Sequence, residues 1–215
     1  MTVSPMVQPN APGAPSAFIS PSRGRAPTKL RFDVDMFVRF CAAELPPDAR
    51  VELIDGEIYT MSPTGGGHNS ASVFLGRVIY DQFKGRADIL PSSSVKMDRW
   101  SMPMPDFAVL QRTYTPAELQ AHSITAADCA LVIEISHSTL RFDRRVKAPM
   151  YARAGVPEYW VVAVAESVIE VHREPRADGK GYASVVRYGR GEAVVPGAFG
   201  DVRIRVEDVF GPTGG

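Results

Sequence analysis

The chain has 215 residues, of which 45% are hydrophobic and 22% are charged, and its formal net charge is zero. These values are typical of one globular domain, and the balanced charge excludes a protein that coats nucleic acid by bulk electrostatics, although a local basic groove is still compatible with it. No run approaches the ~18 apolar residues of a membrane span, and the sequence lacks a signal-peptide core and zinc-ligand cysteine spacing. We therefore expect a cytoplasmic protein that does not enter a membrane.

The N-terminal segment, residues 1–28, is rich in Pro, Ser, Ala and Gly. A segment of this composition cannot bury enough apolar surface to offset the entropy that is lost on ordering. We therefore predict a disordered Pro-rich tail over residues 1–28, followed by one folded domain over residues 29–211. Binding of a partner through the tail is an open alternative.

The folded part shows helical and strand periodicities in alternation. Helical spacing predicts helices over four segments, namely 33–45, 68–83, 115–122 and a stretch within 143–154. Asp55-Gly56 between two short apolar stretches predicts a β-hairpin over 51–63. Apolar runs predict six further strands, at 88–97, 104–110, 129–135, 158–164, 167–174 and 182–188. This order is typical of an α/β domain with a mixed sheet.

Two carboxylates lie in apolar strand segments. Asp106 comes at the start of one strand, and Glu134 lies inside the run LVIEIS near the end of another. A carboxylate in such a place costs several kcal/mol unless it is paired or binds a metal. Asp106 therefore either caps a turn or, with Glu134, holds a divalent metal of the kind that supports phosphodiester cleavage. The alternative partners for Glu134 are the basic side chains that follow it, namely Arg141, Arg144 and Arg145.

Four segments, in order, carry a family resemblance. ELIDGEIYTMSP, MPDFAVL, VIEISHST and DRRVKAPMYARAGVPEYWVV resemble the Uma-type restriction endonuclease family, a bacterial group within the PD-(D/E)XK nuclease superfamily. The resemblance implies an α/β (α+β) fold with a restriction-endonuclease-like core, in which helices flank a mixed central sheet that follows an N-terminal β-hairpin. It also implies an endonuclease that depends on Mg²⁺ or Mn²⁺, with Asp106 and Glu134 as metal ligands and a lysine as catalytic assistant.

The position of that lysine departs from the superfamily signature. Two residues after Glu134, on the same face of the strand, stands Ser136, and its hydroxyl cannot replace an ammonium. In the Uma-type pattern a lysine precedes a Tyr-Ala-Arg-Ala-Gly stretch in the next helix, and Lys147 precedes Tyr151 here in that way. We predict that the Lys147 ammonium lies about 4–7 Å from Glu134. The alternative is a solvated helix lysine.

Further polar and aromatic residues match positions of the family pattern or suggest binding. Glu52 and Glu57 both match acidic positions of ELIDGE, and Glu57 is predicted as an auxiliary glutamate near the metal, with an exposed strand carboxylate as the alternative. His68 matches a frequent histidine of the family that contacts phosphate or positions water, although a neighbour of a helix cap is an equally simple interpretation. One of Tyr159 and Trp160 is expected to face the core, and the other could stack on a base if exposed.

Three functions remain open from the sequence. The first is a metal-dependent DNA endonuclease that needs no small-molecule cofactor and that, by analogy with type II-like enzymes, acts as a C2 homodimer. The second is a nuclease-like domain that binds nucleic acid or a partner protein without cutting, and Ser136 keeps this alternative open. The third is a structural module of a larger system. The first function requires that the Asp106 and Glu134 carboxylates lie about 4–6 Å apart, on the same face of the sheet.

Overall fold

The structure, a computed structural model, describes residues 28–46, 48–61 and 65–211. The predicted tail over residues 1–28 lies outside the described residues, except for its last residue. The compact unit that begins at Arg31 contains all the helices and strands found in the described part of the chain. In the same part, no helix has the length and apolar character that a membrane crossing would require.

A six-stranded mixed sheet forms the centre of this unit. Its spatial order is β3 (Ile89–Pro91), β4 (Phe107–Leu110), β5 (Cys129–Ser136), β6 (Glu158–Ala163), β7 (Val168–Pro175) and β8 (Tyr182–Tyr188). Only the β5–β6 pair is parallel, and the other four neighbouring pairs are antiparallel. Two small antiparallel pairs complete the strands, namely β1 (Val51–Ile54) with β2 (Glu57–Thr60) and β9 (Ala193–Val194) with β10 (Ile204–Arg205).

Helices flank both faces of this sheet. They are α1 (Val34–Glu44), α2 (Gly66–Phe83), α3 (Pro116–Ala121), α4 (Leu140–Phe142), α5 (Ala148–Arg153) and α6 (Val206–Phe210). Short 3₁₀ turns span Ala126–Asp128 and Val164–Glu166, and a π-helical turn at Asp143–Lys147 joins α4 to α5. The mixed sheet, the flanking helices and the N-terminal hairpin confirm the predicted fold class.

Local sequence signals explain where several elements begin and turn. α1 begins after Asp33, whose carboxylate accepts the backbone N–H of Met36 at 2.9 Å. The hairpin turns at Asp55 and Gly56, whose φ angles of 51° and 81° are the positive values that a two-residue type I′ turn requires. These caps and turns agree with the sequence prediction to within a few residues.

The alternation of β5 separates the two apolar layers of the core. Ile133 and Ile135 face the layer that contains α2 and α6, whereas Val132 faces the layer that contains α5. Because successive strand residues point to opposite faces, Glu134 lies on the α5 side together with Val132. The sheet therefore presents one carboxylate toward the turn and helix that follow β5.

Three segments differ from the prediction. The strand expected over 88–97 is a strand only at Ile89–Pro91, because Ser92 takes a positive φ of 42°. The strand expected from residue 104 begins at Phe107, because the prolines of MPMPD lack N–H donors. The helix expected within 143–154 contains the π-helical turn. The sequence prediction gave no element after residue 188, and it missed β9, β10 and α6, which are short.

Candidate active site

The pairing of β4 with β5 brings Asp106 and Glu134 together. Phe107 pairs with Ile133 at the end of this antiparallel register, and Asp106 and Glu134 are the next residues of the two segments. The Asp106 carboxylate also accepts the backbone N–H of Ile135 at 2.7 Å. Both carboxylates line one cavity of about 280 Å³. Their placement on one face of the sheet and the 4–6 Å separation of the carboxylates stay predictions.

Lys147 reaches the same cavity from the π-helical turn. Its Nζ donates to Glu134 Oε1 at 2.8 Å and to Glu52 Oε1 at 3.0 Å, and its side chain is only 1% exposed. The alternative of a solvated helix lysine is therefore wrong. The arginine alternative is wrong as well, because in the described residues Glu134 accepts from Lys147 and Tyr151, and Arg144 instead pairs with Glu170.

The π-helical turn explains how one short segment supplies two cavity residues. The backbone N–H of Ala148 bonds to the carbonyl of Asp143, which is one residue wider than an α-helical bond. Asp143 and Lys147 both line the cavity. Such turns are rare and occur often at functional sites, and no residue pattern in DRRVK predicts one.

Ser136 occupies the position of the signature lysine but has a structural role. Its hydroxyl donates to the carboxylate of Asp143, which also accepts the hydroxyl of Thr139 at 2.7 Å. These two bonds fix Asp143, a buried acid that the sequence analysis did not identify. Ser136 therefore ties the end of β5 to the turn that carries Lys147.

Glu52, rather than Glu57, is the hairpin acid that joins the cluster. It is fully buried, and its Oε1 accepts both Lys147 Nζ and the backbone N–H of Met104, the latter at 2.8 Å. Its Oε2 is buried and has no hydrogen-bond partner within the described residues. Glu57 instead accepts the hydroxyl of Tyr59 at 3.1 Å and is not part of the cavity lining. A signal for Glu52 existed in its position between the apolar residues Val51 and Leu53.

The two oxygens of Glu134 have different surroundings. Oε1 accepts Lys147 Nζ and the hydroxyl of Tyr151, each at 2.8 Å. For Oε2, no donor is found among residues 28–46, 48–61 and 65–211. Tyr151 is fully buried and belongs to the Tyr-Ala-Arg-Ala-Gly stretch, and the sequence analysis assigned it no role. One oxygen of the carboxylate is therefore held by the protein, and the other is free to bind a ligand.

His68 contacts the second carboxylate. It lies in the first turn of α2, and its Nε2 lies 3.1 Å from Asp106 Oδ1. This hydrogen bond raises the pKa of His68 above its ordinary value, although burial acts in the opposite direction. His137 also lines the cavity and packs on Gly67, where an added Cβ would lie 3.0 Å from the imidazole Cδ2. Gly67 thus allows α2 to approach the cavity closely.

Burial and charge set the protonation of the cluster. Burial raises the pKa of Glu134 well above its ordinary value, and the Lys147 ammonium opposes this rise. For Lys147, burial acts to lower the pKa, but the carboxylates of Glu134 and Glu52 outweigh it, so that the pKa is raised. Lys147 is therefore a permanent cation at neutral pH, and a further positive charge beside Glu134 would favour its ionised form.

The oxygen donors of the cavity fit a hard divalent cation. Mg²⁺ characteristically takes one or two carboxylates and keeps several waters, and the open Oε2 of Glu134 and the carboxylate of Asp106 can serve in this way. Glu52 does not line the cavity, but its Oε2 is a further buried acceptor without a hydrogen-bond partner in the described residues. In the described part of the chain, no three His, Cys, Asp or Glu side chains already form an enclosing ligand group.

The predicted stacking residues do not reach the surface. Tyr159 and Trp160 are both fully buried in β6, on opposite layers of the core. Neither ring can therefore stack on a base. The aromatic rings that line the cavity are those of Tyr59 and Phe142, which the sequence analysis did not identify.

Comparison with known proteins agrees with this architecture. A mixed sheet flanked by helices, with two carboxylates and a lysine at one cavity, is the arrangement that the restriction-endonuclease-like resemblance implied. The family model described as "Uma2: Putative restriction endonuclease" matches residues 34–207, and the chain belongs to this family. No match is found among curated proteins.

One solved structure supports the fold over most of the chain. It is described as a "putative nuclease belonging to DUF820 from Anabaena variabilis ATCC 29413", and it superposes with a TM-score of 0.64 at 18% sequence identity. The match covers 83% of this chain and 97% of that chain. The family and the fold that the resemblance implied are thus both confirmed.

Proposed function

We propose that this chain is a divalent-metal-dependent endonuclease that hydrolyses phosphodiester bonds in DNA, with Asp106 and Glu134 as metal ligands and Lys147 as a catalytic cation. The observation that carries the proposal is the contact of Lys147 Nζ with Glu134 Oε1 in the cavity that Asp106 also lines. Membership of the family supports the nuclease class, and the oxygen donors support Mg²⁺ or Mn²⁺.

Asp106, Glu134 and Lys147 have different roles in the proposed hydrolysis. Asp106 and Glu134 would hold the ion, which supplies Lewis-acid activation of water and neutralises charge on the phosphate. Lys147 keeps its ammonium at a fixed point because Glu134 and Glu52 bind two of its three N–H groups. The third N–H has no acceptor among the described residues, and it can donate to a phosphate oxygen as negative charge develops there.

His68 and Asp143 have supporting parts in this proposal. His68 holds Asp106 through its Nε2 and can order a water or a phosphate oxygen at the cavity wall. Asp143, fixed by Ser136 and Thr139, adds negative charge that favours the protonated form of Lys147. Glu57, predicted as an auxiliary ligand, has no part in the proposal because Glu52 takes the position beside Lys147.

The alternative of a nuclease-like domain that binds without cutting rested on Ser136. The missing lysine of the signature strand was the reason to doubt catalysis. Lys147 supplies an ammonium beside Glu134 from the following turn, so Ser136 no longer argues against cleavage. We therefore place the cleaving function first.

The substrate, the oligomeric state and the location of the protein are further parts of the proposal. DNA as substrate follows from the family's nuclease class, and a C2 homodimer would supply one site to each strand of a duplex. A cytoplasmic location, a disordered tail over 1–28 and one domain over 29–211 stay predictions of the sequence. Light scattering after gel filtration measures the mass of the full chain and tests the homodimer directly.

Nicking of a supercoiled plasmid tests the proposed function. The wild-type chain is expected to convert supercoiled to open-circular DNA with Mg²⁺ and not with EDTA. Asp106→Ala should abolish conversion, whereas Asp81→Ala, which removes an exposed acid of α2, should leave it unchanged. Absence of metal-dependent nicking by the folded wild-type chain on plasmid and on single-stranded DNA would reject the proposal.

A further inference from the structure

The proposed catalytic groups lie inside the protein rather than on an open surface. The side chains of Glu134 and Lys147 are 6% and 1% exposed, and that of Asp106 is 13% exposed. A carboxylate-bound Mg²⁺ stays within about 2.1 Å of its ligands and of the phosphate oxygen that it activates. If these residues carry the proposed function, the scissile phosphate must therefore enter the cavity.

The cavity has room for only a small part of a DNA strand. Its volume of about 280 Å³ lies near the lower end of the ~300–1,000 Å³ that small-molecule sites occupy. This is room for a single nucleotide unit rather than for a base pair with both backbones. A nucleotide that is free to leave its partner strand can place both its base and its phosphate in this cavity.

Two aromatic rings complete the lining on the apolar side. Tyr59 of β2 and Phe142 of α4 both line the cavity, and their ring centroids are 5.2 Å apart with a 56° angle between the planes. Both rings are only partly buried, unlike Tyr151, Tyr159 and Trp160, which are enclosed in the core. Partly exposed rings beside a phosphate site are the elements with which proteins stack unpaired bases.

We propose that the cavity takes one unpaired nucleotide, with its base against Tyr59 and Phe142 and its phosphate at Asp106, Glu134 and Lys147. The preferred substrate is then DNA with unpaired nucleotides, such as single strands, gaps, flaps and the locally unwound stretches of a supercoiled plasmid, over relaxed continuous duplex. This inference deepens the proposed function and depends on it for the position of the phosphate. Base stacking in the cavity is a separate binding step that can be measured without cleavage.

Fluorescent oligonucleotides test the stacking step. Single-stranded, gapped and continuous duplex DNA of one sequence, each with a single 2-aminopurine, are titrated with the full chain in Ca²⁺ to suppress cleavage. We expect single-stranded and gapped DNA to bind at least tenfold more tightly than duplex, with quenching of the 2-aminopurine. Tyr59→Leu and Phe142→Leu should each weaken single-strand binding about tenfold and abolish the quenching.

A remote aromatic pair supplies the matched control. Phe40 is partly buried and lies 5.6 Å from Phe32 in the α1 region, outside the cavity lining, so Phe40→Leu should bind single strands as the wild type does. Equal affinity for the three DNA forms, or ring variants that bind and quench as the control does, would overturn the inference.

Cleavage of the same DNA with Mg²⁺ separates this inference from the proposed function. Equal cutting of single-stranded and duplex DNA overturns the unpaired-nucleotide site and leaves a nuclease. Stacking without any metal-dependent cleavage supports the site and rejects the nuclease. A folded chain that neither binds nor cuts DNA rejects both.

Discussion

Lys147 Nζ lies 2.8 Å from Glu134 Oε1 inside the protein, and the same ammonium lies 3.0 Å from Glu52 Oε1. One buried cation thus bridges two buried carboxylates that come from β1 and β5. When both acids are ionised, the three groups carry a net charge of about −1, and a water-poor interior tolerates this charge only with further cationic compensation or with one acid protonated. A divalent ion at the open oxygen of Glu134 would provide such compensation.

Removal of the bridging ammonium should destabilise the protein. Lys147→Met keeps most of the side-chain volume but leaves Glu52 and Glu134 without their cation, and we expect the free energy of unfolding to fall by about 3–5 kcal/mol. Mg²⁺ should restore part of this loss by binding the freed carboxylate. Urea unfolding with and without Mg²⁺ measures both effects.

Two controls test whether the loss of stability comes from the buried ion pair. One neutralises the acid that contacts Lys147, and the other replaces an exposed lysine. Glu52→Gln in the Lys147→Met background should recover part of the lost stability, since the two residues are in contact and their effects are not additive. Lys84→Met, at the exposed end of α2, should change little. Equal stability of Lys147→Met and Lys84→Met would contradict the structural role of the bridge.

Tyr151 should influence metal affinity through Glu134. Its hydroxyl holds Oε1 at 2.8 Å, and its loss in Tyr151→Phe frees the carboxylate to rotate away from the metal-binding orientation. Partners of this kind typically affect metal affinity or activity by about 10–100-fold. Calorimetric titration with Mn²⁺, without DNA, measures the change.

A second buried tyrosine controls for the loss of a hydroxyl. Tyr182 donates to the backbone carbonyl of Val156 at 3.0 Å and does not contact Glu134. Tyr182→Phe should therefore lower stability without a change in Mn²⁺ affinity. The positioning role of Tyr151 fails if both variants bind Mn²⁺ as the wild type does, or if both lose the same affinity.

The His68–Asp106 contact should make local stability depend on pH. The hydrogen bond raises the pKa of His68 above 6.5, so the metal-free protein gains stability from the protonated pair below pH 6.5 and loses it as pH rises through the raised pKa. Asp106→Asn should lower the pKa of His68 relative to the wild type, because it removes the carboxylate that is the main cause of the rise. Histidine NMR titration measures this shift, and an unchanged pKa in Asp106→Asn would exclude the contact in solution.

Arg50 is a candidate phosphate contact at the cavity. It is exposed, lines the cavity and forms no ion pair within the described residues. Arg50→Ala should weaken DNA binding and reduce the slope of log affinity against log salt by about 1. Arg86→Ala is the control, since Arg86 pairs with Asp201 and does not line the cavity. An identical salt slope in the two variants would remove Arg50 from the interface.

The fold was predictable because its signals are local. Asp55-Gly56 fixes the hairpin, and the periodicity of residues 68–83 fixes α2 to within two residues of Gly66–Phe83. The strand positions of Asp106 and Glu134 were also predictable, because a carboxylate inside an apolar run is unusual. Strand alternation alone then placed Glu134 and Ser136 on one face.

The remaining features depend on contacts between distant segments. Glu52 and Lys147 are 95 residues apart in the chain, and only the packing of the hairpin against β5 and the π-helical turn brings them together. The sequence analysis assigned the auxiliary role to Glu57 rather than Glu52 because both acids match the family pattern, and the apolar neighbours of Glu52 in a four-residue strand did not decide between them. Tyr159 and Trp160 could not be assigned from β6, since both faces of that strand are covered.

The most direct measurement is a Mn²⁺ titration in which bound ion and DNA cleavage are followed in the same samples. With the wild-type chain, bound Mn²⁺ by electron paramagnetic resonance and cleavage of a DNA substrate should rise with one midpoint. Asp106→Ala and Glu134→Ala should lose both signals, whereas Lys147→Ala should retain bound Mn²⁺ and cut about 10²-fold more slowly. Wild-type levels of bound Mn²⁺ and of cleavage in Asp106→Ala and Glu134→Ala would show that the two carboxylates do not hold the catalytic metal.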